Sequence, residues 1–131
     1  MKKKWTRRLI WSAVAAPVTI YAAYLGMAWA LRTECSNEVL SEVDSPGRHY
    51  TATLFERNCG ATAPFVRVVG LRVAGTKLEA ESRNDWAFVL RGRDPLLLRW
   101  TSERHLVVVG GGRDPSAQLR SSWRDVEIGF Q

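Results

Sequence analysis

"RHYTATLFERNCGATAPFVRVVGLRV", residues 48–73, decides how the chain folds. Its first run, Arg48 to Glu56, alternates: Tyr50, Ala52 and Leu54 fall on one side of an extended chain, His49, Thr51, Thr53 and Phe55 on the other. The second, Phe65 to Val73, is rich in β-branched residues on both faces, as strands are. The two runs predict an antiparallel hairpin. The connection Asn58 to Pro64 is long for such a hairpin and holds Cys59.

The same punctuation continues outward in both directions. Upstream, "EVLSEV" (Glu38 to Val43) reads as a first strand, and "DSPG" (Asp44 to Gly47) as a turn in which proline fixes its own φ and glycine permits a positive one. Downstream, "WAFVLRG" (86–92), "PLLLRW" (95–100), "HLVVVG" (105–110) and "VEIGF" (126–130) are short apolar runs separated by Gly, Pro, Asp and Asn. No stretch beyond Arg32 sustains helical periodicity over three turns. The reading is a mainly β domain of about seven strands in an antiparallel sheet, sandwich or small barrel-like layer. Trp86, Trp100 and Trp123 are its aromatic anchors, read as core packing rather than a ligand cage.

The N-terminal quarter is different. "LIWSAVAAPVTIYAAYLGMAWAL", Leu9 to Leu31, carries no charge over twenty-three residues. As a helix it reaches about 34 Å at ~1.5 Å per residue, enough for a hydrocarbon core of about 30 Å. Lys2, Lys3, Lys4, Arg7 and Arg8 precede it, and Glu34, Glu38, Glu42 and Asp44 follow. By the positive-inside rule residues 1–8 are a cytoplasmic basic tail, 9–31 a transmembrane helix and 32–131 an exported domain. The net charge of +6 belongs mostly to that tail: beyond it fourteen basic residues meet thirteen acidic ones, which excludes a nucleic-acid face.

Two fates compete for the span. "MAWA" (27–30) offers an Ala-x-Ala cleavage site after Ala30, whereas the length of the apolar run and the tryptophans near its ends, Trp5, Trp11 and Trp29, match a retained anchor. Ala22, Gly26 and Ala30 form a small-xxx-small stripe, a candidate helix–helix contact, although plain lipid-facing alanine explains it better. Pro17 predicts a kink. No ionisable side chain lies within the span, which argues against an ion pathway.

Cys35 and Cys59 are the two cysteines, both on the side where oxidation is favoured. Closing their twenty-five-residue loop is worth about 3.5 kcal/mol in the loop-closure model. Free or intermolecular thiols and a catalytic thiol are the alternatives. A nucleophilic Cys59 needs a base, and His49 and His105 are the only histidines, both at strand or turn ends. Neither metal-ligand spacings nor an EF-hand loop occur, "GGGRDP" (110–115) breaks the phosphate-loop fingerprint at Pro115, and Glu79 and Glu81 share a face only if extended. No catalytic, metal or cofactor site is therefore expected.

The membrane segment followed by "CSNEVLSE", "SPG", "ATLFERNCGAT" and "LLLRWTSERHLVV" resembles a family of small uncharacterised bacterial membrane or envelope proteins with a Ser-Pro-(Asp)-Gly … Phe-x-Arg-x-Cys-Gly-Ala-Thr pattern. The similarity covers most of Cys35 to Val109 and is most specific at Arg57 to Thr62. Ser45-Pro46-Gly47 lacks the family's aspartate, and Ala63 stands where a second threonine is usual. The resemblance implies an envelope location and paired cysteines, but no activity.

Together these readings describe a non-enzymatic, single-pass protein of the bacterial inner membrane. Its extracytoplasmic domain, stapled at Cys35 and Cys59, contacts another envelope component through a loop holding Arg57, Asn58 and Thr62. A cleaved, soluble periplasmic binding or inhibitor domain is the alternative, and a thiol-dependent enzyme the third reading.

Overall fold

The computed structural model describes residues 2–31, 35–111 and 114–131, with side chains in the N-terminal helix from Ile10 onward. Arg32 and Glu34 beside the span, and Gly112 and Arg113 of the glycine-rich turn, lie outside the described residues. The chain divides into two compact units, Met1–Glu34 and Cys35–Gln131.

The first unit is one helix, α1 (Lys2–Ala30), running through Pro17. It begins within the basic tail because lysine and arginine are good helix formers and no breaker separates them from the apolar run. Its segment Ile10–Ala30 is long and apolar enough to cross a membrane, and none of it is buried. The Thr19 hydroxyl donates to the carbonyls of Ala15 and Ala16 (3.1 and 2.8 Å), so this polar group is satisfied inside the helix. Ala22, Gly26 and Ala30 share one exposed side of α1, and nothing lies within 4 Å of a Cβ built on Gly26.

The second unit is a two-layer β sandwich of nine strands: β1 (Ser36–Asp44), β2 (Tyr50–Asn58), β3 (Val66–Val73), β4 (Trp86–Arg91), β5 (Leu97–Ser102), β6 (His105–Val109), β7 (Gln118–Leu119), β8 (Ser122–Trp123) and β9 (Val126–Phe130). One sheet has the order β1-β2-β3-β4-β7, the other β5-β6-β9-β8. The seven runs found in the sequence are the seven longer strands, and two-residue β7 and β8 are too short to leave a pattern. The predicted hairpin forms as β2–β3, with Phe55 opposite Val68.

One pairing departs from the antiparallel expectation: β6 and β9 run parallel, His105 opposite Glu127. After β6 the chain crosses to the first sheet, adds β7 beside β4, and returns through the β8–β9 hairpin. That route sets the direction of β9, and its residues show no periodic run from which to read it.

Between the sheets Ala52, Leu54, Val69, Leu71, Phe88, Leu90, Leu106, Val108, Trp123 and Val126 form the core, so the Tyr50/Ala52/Leu54 face of β2 points inward. The opposite face of β2 is buried too. Thr53 Oγ1 donates to Glu42 (3.1 Å), Thr51 Oγ1 to Asp44 (2.6 Å), and Phe55 meets Trp86 edge-on at 6.5 Å. Residues 74–85, which end in a 3-10 turn at Arg83–Asp85, cover this face, and a side chain at Gly70 would enter the gap between Phe55 and Leu78. Glu79 and Glu81 thus sit in an irregular segment rather than on one extended face.

Strand β1 is an edge of a different kind. Eight of its nine residues are exposed, and it supplies no buried residue. A bulge between Val39 and Ser41, together with Glu38, Glu42 and Asp44, marks the edge as one that resists further pairing. In the turn that follows, Arg48 N–H donates to Ser45 O (2.8 Å), and the positive φ falls on Arg48 (56°) rather than on Gly47. Gly47 is needed for space instead: a Cβ there would lie 2.7 Å from Glu103 Oε2 and 2.9 Å from His49 Nδ1.

Candidate interaction face around the disulfide

Cys35 precedes β1 and Cys59 follows β2, and the register of that hairpin places Ser36 opposite Asn58. The two cysteines are therefore brought together at its open end, where they form a disulfide with Cα atoms 4.0 Å apart. Both sulfurs are bonded, so neither is a nucleophile here. The bond joins the start of the exposed edge strand to the end of the most buried one.

The loop residues beside it divide in an unexpected way. Arg57 turns into its own domain: Nη1 and Nη2 donate to Glu81 at 2.8 and 2.6 Å, Nη1 also reaches Asn37 Oδ1 (3.2 Å), and the guanidinium lies 5.6 Å from the Trp86 ring. With a side chain only 13% exposed, Arg57 ties β1, β2 and the 74–85 segment together. Arg57 holds the Glu81 carboxyl below its ordinary range. Asn58 Oδ1 accepts the Gly60 N–H at 3.1 Å and shapes the loop locally. Thr62 is exposed.

At this end of β2 a second carboxylate, Glu56, is 5% exposed. Arg93 grips it with Nη2 at 2.8 Å and Nε at 3.1 Å, and Arg67 stands 3.7 Å away. These cations hold Glu56 ionised, Arg93 foremost, and the Arg93 guanidinium also stacks 4.2 Å from the Phe65 ring.

At the other end of β1 lies a hub built from residues far apart in the sequence. Glu103, in the β5–β6 turn, accepts from buried Ser45 Oγ (2.6 Å), from Gly47 N–H and from His49 Nδ1 (2.9 Å). These bonds, Ser45 first, draw its pKa down to about 2. Ser45 Oγ itself accepts the N–H groups of His49 and Tyr50 (3.2 and 3.1 Å). Serine and histidine thus share one carboxylate without bonding to each other side chain to side chain, the geometry of a turn lock rather than of a nucleophile and its base. His105 meets Glu127 at 3.5 Å, far along the chain from either cysteine.

The tryptophans work as ties. Trp100 Nε1 donates to Val43 O (3.0 Å), closing β1 against β5; Trp86 donates to Ala80 O (3.1 Å); and Trp123, buried in the core, donates to Asp85 (3.0 Å). A cleft of about 220 Å³ opens between β3 and the 74–85 segment, lined by Phe55, Gly70, Arg72, Leu78 and Trp86 among others. Glu56, Glu81, Glu103, Asp114 and Asp125 are all shifted downward, so these carboxylates are ionised acceptors and not proton donors near neutral pH. No group of three metal-ligating side chains occurs among the described residues. The disulfide offers thiol–disulfide exchange, and the edge strands carry exposed apolar side chains: Val39 and Leu40 on β1, Leu97 on β5 and, on the opposite edge of the first sheet, Leu119 on β7. No family model, curated protein or solved structure matches this chain.

Proposed function

We propose that the protein is a non-enzymatic, single-pass envelope protein: residues 1–8 in the cytoplasm, α1 through the inner membrane, and the β sandwich outside as a module that contacts another envelope protein. The observation that carries this reading is an apolar helix segment of twenty-one residues, exposed along its whole length, joined through four residues to a disulfide-closed domain. An exposed apolar helix needs a non-aqueous surrounding, and a structural disulfide needs an oxidising one. The basic residues Lys2 to Arg8 orient the span. The resemblance to small envelope proteins points the same way. Exposed Val39 and Leu40 on β1 and Leu97 on the neighbouring edge strand β5 supply the contact area. The test is a topology assay: a reporter active only outside the cytoplasm, fused after Gln131, should be active and should stay in carbonate-washed membranes. Activity of a cytoplasm-only reporter at the same position would sink the orientation.

A second reading rests on the end of α1. The helix stops at Ala30, the last residue of Ala28-Trp29-Ala30, where a signal peptidase would cut. A soluble periplasmic domain beginning at Leu31 would result, and the intact mass of the mature chain separates the two.

A further inference from the structure

We propose that the Cys35–Cys59 bond is a reductively releasable clasp on β1: its reduction frees the edge strand from Ser36 to Glu42 while the rest of the sandwich stays folded. Strand β1 sits between two fastenings. At its far end Ser45 bonds Glu103 and Val43 O accepts from Trp100, and at its near end stands the disulfide. Between them no β1 side chain is buried and none belongs to the core cluster. The strand therefore adds hydrogen bonds but almost no apolar burial against the conformational freedom it gives up.

Its departure opens one ion pair, Glu42 with Arg72 Nη2 at 2.9 Å, and Arg72 keeps its Nη1 bond to Thr76 O (2.6 Å). On the outer face of β2 the residues that β1 caps are Thr51 and Thr53, whose hydroxyls now donate to Asp44 and Glu42 and can turn to solvent. Asn37 is the one β1 residue tied into the Arg57–Glu81 pair, and that pair remains complete without it. The inner face keeps Ala52 and Leu54 on the core.

The chemistry is an exchange with a dithiol reductant of the extracytoplasmic space. Its thiolate attacks one sulfur, the other leaves as a thiolate and takes up a proton, and the second thiol of the reductant resolves the mixed disulfide. Two electrons and two protons pass to Cys35 and Cys59, and the reductant ends as a disulfide. Both cysteines are partly exposed, so the attacking group can reach them.

The consequence rests on the anchored reading above. While the bond holds, three residues, 32–34, link Leu31 to the fastened domain, a contour of about 14 Å at ~3.6 Å per residue. With β1 free the first fastened residue is Val43, and the same contour becomes about 43 Å. Reduction thus lengthens the tether about threefold.

Hydrogen exchange on the full chain in lipid nanodiscs, oxidised and then reduced with dithiothreitol, tests the release. Amides of residues 36–42 should exchange at least tenfold faster after reduction, with those of β3, β4 and β6 unchanged. Unchanged protection at 36–42 would overturn the proposal, and so would parallel loss through all strands, which would make the bond a staple of the whole domain. This outcome is independent of the anchor, whose own failure would be seen as release of the chain into the soluble fraction.

Discussion

At the scale of single residues, similar backbone angles demand different things. Gly110 and Gly92 hold φ of 105° and 103°, a region costly for any side chain. A Cβ at Gly110 would also stand 2.5 Å from Pro95 O, whereas nothing lies within 4 Å of one at Gly92. Gly92→Ala should cost about 1–2 kcal/mol from the backbone alone. Gly110→Ala should cost clearly more in denaturant unfolding, and equal costs would refute the packing argument. Glu103 gives a second residue-level prediction. Its folded pKa, drawn to about 2, lies below the ordinary value of 4.5, so its contribution is full above that value and fades as the pH falls toward 2. Between pH 5 and 2, Glu103→Gln should lose less stability than the parent protein; an unchanged slope in acid denaturation would contradict the hub. Glu103 was not legible in the sequence, because "TSER" reads as a solvated turn and its partners Ser45 and His49 lie 58 and 54 residues away. The cysteine pair was legible, since the charge asymmetry of the span predicts an oxidising side for both cysteines, where a bridge is their commonest use.

At the scale of elements, legibility followed the length of the run. The long strands announce themselves through alternation or β-branched content, and the β2–β3 hairpin follows from two such runs in succession. The bulge in β1, the shift of the positive φ from Gly47 to Arg48, and the burial of the second face of β2 did not, since each depends on what packs from elsewhere. Arg57 shows this most clearly: in sequence it sits beside a loop cysteine, in space it is held by Glu81 and Trp86. The disulfide acts at this scale too. Loop closure alone assigns it about 3.5 kcal/mol, but the reduced native state regains freedom in β1 and is less penalised than that model assumes. Replacing both Cys35 and Cys59 with serine should therefore destabilise the domain by about 1–3 kcal/mol in urea unfolding. A cost well above the loop-closure value would mean that β1 and the core unfold as one.

At the scale of the whole molecule, the division of the chain into an apolar helix and a β domain was readable from charge and hydropathy alone. The parallel β6–β9 pairing was not, because it is set by the path of residues 110–125 between sheets. The proposed function requires an uncleaved, membrane-retained chain with an oxidised cysteine pair. Its most direct test is the intact mass of the chain from carbonate-washed membranes of a bacterial host, alkylated under denaturing conditions before and after reduction. The prediction is the full chain of 14.8 kDa without adducts before reduction and with two after. A chain beginning at Leu31 in the soluble fraction, or one alkylated before any reductant is added, would contradict it.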